Sequence, residues 1–149
     1  MDWLWLALQE SWLGGLVRRS ALLYPAANIL HVLGVMGFFA LVAVMDLALL
    51  GALKPVAPRQ LVARLRPMAL GLFLLVAATG LVLLAPEAAA IAGNPAFLAK
   101  GALLLLALAN VIANTLALRR SEAAARLTAG LSLLLWLGVA ALGRLIAYV

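Results

Sequence analysis

Apolar and polar residues fall along this chain in long blocks, not in short alternation. Four apolar segments, at about 25–51, 67–85, 95–118 and 125–147, are separated by short stretches that carry most of the charge. Each is close to the ~20 residues that carry a helix across ~30 Å of hydrocarbon. Strands of a membrane barrel would alternate apolar and polar positions, and these segments do not. Their ends carry boundary chemistry. Pro25 suits a first helical turn, where its missing N–H costs nothing. The second segment runs from Pro67 and stops at Pro86. The third opens on Asn94-Pro95, an N-cap residue followed by proline at the first helical position. The pattern predicts an all-α integral membrane protein, with a four-helix bundle formed by residues 21–149.

Residues 1–20 read differently. Trp3, Trp5 and Trp12 stand among leucines, with Asp2, Gln9, Glu10, Arg18 and Arg19 interrupting the apolar run. The run is too short to span, and it lacks the basic start and small-residue cleavage site of a secretory signal. Tryptophans on an amphipathic stretch predict a helix lying in the membrane interface, weakened at its end by Gly14-Gly15.

Composition strengthens the membrane reading. Of 149 residues, 68% are hydrophobic and 11% charged, against roughly 45–50% and ~25% in soluble domains. The chain has no cysteine, which removes disulfides, thiolate metal sites, iron–sulfur clusters and cysteine nucleophiles. The net charge of +6 sits between the apolar segments. Lys54, Arg59, Arg64 and Arg66 occupy the first connection, and Arg119, Arg120 and Arg126 the third. The second holds Glu87 and no base. Such bases set topology and meet lipid head groups, so lipid and not nucleic acid is the expected partner. Basic loops stay in the cytoplasm, which predicts that both termini and the second connection lie on the outer side; Arg18 and Arg19 run against that rule. Ala109, Ala113 and Ala117 form a small-residue stripe on the third helix. It predicts close helix packing, within the bundle, in a homo-oligomer or in a larger membrane complex.

Ionisable groups at membrane depth are costly and mark candidate sites. His31 lies in the first helix and Asp46 near its far end. Lys100, Asn110 and Asn114 lie in the third, and Arg144 near the end of the fourth. At 1.5 Å per residue, His31, Lys100 and Arg144 share a depth of roughly 7–9 Å below the outer surface. Lys100 also stands near a helix N-terminus, where the dipole favours an anion beside it. One reading is a b-type haem near the outer face. His31 would be its axial metal ligand, Lys100 and Arg144 would pair with the propionates, and Phe38 and Trp136 would pack on the porphyrin. With one His per chain, the haem would be five-coordinate or shared between protomers. The other reading is structural. His31, Asn110 and Asn114 then serve as interhelical hydrogen-bonding groups, Lys100 and Arg144 snorkel to head groups, and Asp46 pairs with Arg64 or Arg66. Copper(I) would ask for Cys, Met or His, but Met36 is off the His31 face and Met45 and Met68 lie toward the opposite side. No paired carboxylates, nucleophile–base set, phosphate loop or zinc spacing is present, so a non-enzymatic role is expected.

The segments LHVLGVMGFFALVAVMDLALLG (30–51), RLRPMALGLFLLVAATGLVLLA (64–85) and NPAFLAKGALLLLALAN (94–110) together resemble a family of bacterial four-helix inner-membrane proteins that carry a domain of unknown function. That resemblance implies fold and location. A more distant one is to the membrane domain of the copper-resistance D family, carried by His31 and Gly34, Thr79-Gly80, and Lys100 with Asn110; Phe38 departs from the Trp common there. It implies copper handling. The bacterial four-helix protoporphyrinogen oxidases, which resemble haem-binding proteins, likewise combine an early-helix His with a third-helix Lys. These resemblances single out His31 and Lys100 among the polar residues.

Overall fold

The computed structural model describes residues 2–53 and 57–148. Lys54, whose charge entered the topology argument, lies outside them. The described chain is helical throughout: α1 (Asp2–Gln9), α2 (Trp12–Arg19), α3 (Leu23–Leu49), α4 (Pro58–Leu84), a 3₁₀ turn (Ala85–Glu87), α5 (Ala88–Ala92), α6 (Pro95–Arg120) and α7 (Glu122–Leu145). The long helices α3, α4, α6 and α7 are apolar and long enough to cross a bilayer. Only 17–33% of the apolar window of each is buried inside the protein. Leu105, Ile112, Leu134 and Leu74 are exposed by more than half, an arrangement that only lipid solvates without cost. The protein is a multi-pass membrane protein.

Local chemistry ends each helix. Beyond α3, Gly51 takes φ +82°, while the Ala52 N–H reaches the Leu47 carbonyl at 2.9 Å and the Gly51 N–H reaches Ala48 at 3.1 Å. This is a Schellman closure, which needs a residue free of Cβ strain at the left-handed position. Asn94 caps α6 as its sequence predicts, its side chain accepting from the Ala96 and Phe97 N–H groups at 2.8 and 3.2 Å. Ser121 alone joins α6 to α7. It ends the first and caps the second by accepting from the Ala124 N–H at 3.1 Å. Arg119 and Arg120 close α6 and Glu122 opens α7, each complementing its helix dipole.

Two boundaries differ from the hydropathy pattern. The helix α4 begins at Pro58, with Pro67 inside it. Its first three turns carry Arg59, Arg64 and Arg66, so hydropathy registers only the later, apolar part. The N-terminal segment is two short helices, not one. Ser11 breaks it: its hydroxyl accepts from the Gly14 N–H at 3.3 Å and starts α2 afresh.

The antiparallel hairpins α3–α4 and α6–α7 join through α3 and α7. The backbones of α4 and α6 stay apart, so that side is bridged by side chains. The core runs along α3 through Val42, Met45 and Leu49 and meets Val62 and Ala69 of α4, Ala107 of α6, and Ala129 and Trp136 of α7. Phe38, Phe73 and Trp136 close the middle of the bundle, with ring centroids 4.6–6.0 Å apart. One end of the bundle, with Arg59, Arg119, Arg120 and Arg126, is its basic end. The other, the capped end, is covered by α1 and α2. Arg18 donates to the carbonyls of Gln9 (2.7 Å) and Pro86 (3.3 Å), and the Gln9 side chain accepts from the Ala89 N–H at 3.2 Å. Trp5 meets Phe97 edge-on at 5.8 Å. Gly14 makes the fit possible, because a Cβ there would run into the Gln9 carbonyl and come within 3.2 Å of the Ala85 oxygen. Trp3 and Trp12 remain 69% and 78% exposed, as residues at the membrane interface are.

Candidate functional site

Near the capped end, His31 lies roughly 12 Å into α3, and Lys100 and Thr79 roughly 8 Å from the nearer ends of α6 and α4. His31 Nδ1 stands 3.0 Å from Thr79 Oγ1. The single hydroxyl proton of Thr79 is already directed at its own helix, to the Leu75 carbonyl at 2.8 Å and the Val76 carbonyl at 3.1 Å. The oxygen therefore accepts, and the imidazole donates through Nδ1–H. The Thr79 oxygen thus selects one neutral tautomer, protonated on Nδ1 with a lone pair on Nε2.

Glycines give this arrangement room. The imidazole lies on Gly80, where a Cβ would come within 3.2 Å of its Cε1. Lys100 lies on Gly143 of α7, its Nζ 3.1 Å from where a Cβ would stand. The Lys100 ammonium is close enough for its charge to act on His31. One end of the bundle thus gathers an imidazole and a cation from different helices.

The other candidates sit elsewhere. Phe38 and Trp136 meet each other at 4.6 Å and fill the interior beneath His31. Arg144 is exposed, hydrogen-bonded to the Tyr148 hydroxyl and stacked over its ring at 4.9 Å. Met36 is 63% exposed. Among the described residues, no group of three or more His, Cys, Asp or Glu could hold a metal ion. Of the alanine stripe, Ala117 is buried while Ala109 and Ala113 face outward.

Neither a family model, nor a curated protein, nor a solved structure matches this chain. Function therefore has to be read from the geometry.

Toward the basic end lies a larger polar network drawn from all four spans. Arg66 of α4 reaches across to α6, donating to Thr115 Oγ1 at 3.2 Å and Asn114 Oδ1 at 3.3 Å. Asn114 donates to Thr128 Oγ1 at 2.9 Å, and Asn110 to the Thr128 carbonyl at 2.9 Å. Asp46 faces Ser132 and feels the Arg66 charge, yet no ion pair within 4.0 Å joins it to Arg66 among the described residues. The interhelical role expected of Asn110 and Asn114 is seen directly. Sequence reasoning missed Arg66 as an internal group, because a base before an apolar run reads as a loop residue. It also missed Thr128 and Ser132, whose spacing of one turn on one face of α7 was the available signal. Nothing in the sequence pointed to Gly143.

Proposed function

We propose that this protein is a non-enzymatic inner-membrane protein that binds a cofactor at His31, with b-type haem as the group the geometry supports best. The observation that carries the reading is the imidazole tautomer. A metal-binding His typically donates its other ring N–H to an oxygen that fixes its orientation, and the Nδ1 bond to Thr79 at 3.0 Å leaves Nε2 with its lone pair. In this reading His31 would hold the group through Nε2, Thr79 would orient the imidazole, and Lys100 would pair with one carboxylate of the group. Arg144, next to Gly143 in α7, would pair with the other on leaving Tyr148. The Phe38–Phe73–Trp136 cluster forms an apolar floor that keeps water from passing deeper into the bundle. One-electron transfer is the chemistry that haem supplies. By the positive-inside rule the basic end is cytoplasmic, and His31 and both termini lie toward the periplasm. Copper, suggested by the more distant resemblance, has weaker support, because among the described residues no second soft ligand accompanies His31.

The test is the visible spectrum of the protein purified in mild detergent, oxidised and then reduced, beside His31→Ala. A near-stoichiometric Soret band that vanishes in the variant is expected. Folded wild-type protein without that band sinks the haem assignment.

A second reading, an accessory subunit or homo-oligomer, is favoured by Ala109 and Ala113. They turn small side chains outward on α6, as a helix does where another packs closely. Cross-linking from Ala109→Cys, followed by mass determination, would find the neighbour, and a monomer with no cross-linked product would dismiss it.

A further inference from the structure

The network near the basic end contains an oddity that packing alone does not explain. Asp46 is 6% exposed, and its Oδ2 has no hydrogen-bond partner among the described residues. A buried acidic oxygen without a partner is costly. The Arg66 guanidinium, which could have met it, is spent on the neutral oxygens of Thr115 and Asn114. A carboxyl held near a cation but not closed onto it is poised to take up something small.

An opening to solvent lies close to it at one end. At the basic end a cleft of about 400 Å³ opens between the ends of the four spans, with Leu49, Leu118 and Ala125 in its wall beside the charged Arg59, Glu122 and Arg126. Leu49 lies one turn beyond Asp46 on the same face of α3. Leu118 and Ala125 stand in the same relation to Asn114 and Thr128. The wall of the cleft thus runs into the network within one helical turn, roughly 5 Å. From the capped end the way is blocked by the Phe38–Phe73–Trp136 rings.

We propose that Asp46 is a proton-binding site that exchanges with water at the basic end of the bundle and is closed to the opposite side. A proton from water in the cleft adds to the carboxylate, giving the carboxylic acid, and returns the same way. The groups facing it favour a proton over a metal cation. From α4 comes the Arg66 guanidinium and from α7 the Ser132 hydroxyl, while α6 brings only the neutral Asn110 and Asn114. On α3 itself the nearest ionisable group is His31, roughly 22 Å away. The Arg66 charge opposes any added cation, but a sodium or potassium ion also needs several oxygens to replace its hydration shell and finds one facing hydroxyl, that of Ser132, whereas a proton needs none and removes the unpartnered buried charge. This inference does not depend on haem at His31.

The test uses the full chain in lipid vesicles of one orientation, with the pH set separately on each side. Dicyclohexylcarbodiimide attacks carboxylic acids in apolar surroundings, and mass spectrometry then distinguishes Asp46 from the chain's other acids. The expected result is labelling at Asp46 that is absent in Asp46→Asn. It falls, by up to about tenfold per unit, as pH is raised on the side of Arg59 and Arg126, and it ignores the pH of the other side. The proposal is overturned by labelling that follows the opposite side, by protection with sodium or potassium at fixed pH, or by an unlabelled Asp46 in folded protein.

Discussion

Replacing Thr79 with valine tests the tautomer argument at its source. Valine has nearly the shape of threonine, and Thr79 is only 7% exposed, so packing changes little. What changes is the oxygen that accepts from His31 at 3.0 Å. The hydroxyl's own bond to the Leu75 carbonyl is additional to the helix ladder, and its loss strands no donor. A buried N–H deprived of its partner costs ~1–3 kcal/mol; for a half-buried imidazole, about 1–2 kcal/mol is expected. That energy is a factor of about 5–30 in an equilibrium, so the ratio of Nδ1–H to Nε2–H tautomers should fall by that much. The chain has a single histidine, so ring-¹⁵N-labelled protein gives one pair of nitrogen signals, and their shifts read the ratio directly. Wild type should show a protonated Nδ1 and a bare Nε2, and Thr79→Ser should restore that state. A Thr79→Val spectrum indistinguishable from wild type would refute the argument, whatever the protein binds.

Substitutions at four further positions probe the packing. Gly80→Ala puts a methyl 3.2 Å from His31 Cε1 and should displace the ring by a few tenths of an ångström, perturbing the same nitrogen signals. Gly101→Ala, which meets nothing within 4 Å, should leave them untouched. Gly14→Ala drives a Cβ at the Gln9 backbone, which cannot yield as a side chain would. Limited proteolysis should then cut between α2 and α3 at protease levels that spare wild type. Trp136→Ala empties the centre of the aromatic cluster and should cost about 3–5 kcal/mol, measured as an earlier midpoint in detergent-to-dodecyl-sulfate unfolding, with Trp136→Phe intermediate.

The spans were legible because length and apolarity are one-dimensional properties, and the caps at Asn94 and Pro95 because their chemistry is local. Pro67 was not a boundary because the damage proline does is local, one lost N–H bond and a ring crowding the carbonyl four residues back. Where the neighbours of a helix tolerate the kink, the helix continues. That His31 and Lys100 share a depth follows from counting along each helix. That they come close follows from which helices are neighbours, and no periodicity encodes that. The same gap hid the network of Arg66, whose partners Asn114 and Thr115 are nearly fifty residues away in sequence. Phe38 and Trp136 were recognisable as interior aromatics, yet that they would face each other depended on the pairing of α3 with α7.

The clasp between the N-terminal helices and the α4–α6 connection has a consequence in time. The ribosome makes α1 and α2 early, but the Pro86 carbonyl that Arg18 holds and the Ala89 N–H that Gln9 accepts lie 68 and 80 residues further along the chain. Until α4 has threaded the bilayer and delivered that connection, the two helices have nothing to hold. The region of His31 therefore stays uncovered at least until the second span is in place, and the N-terminal helices can close over it only from then on.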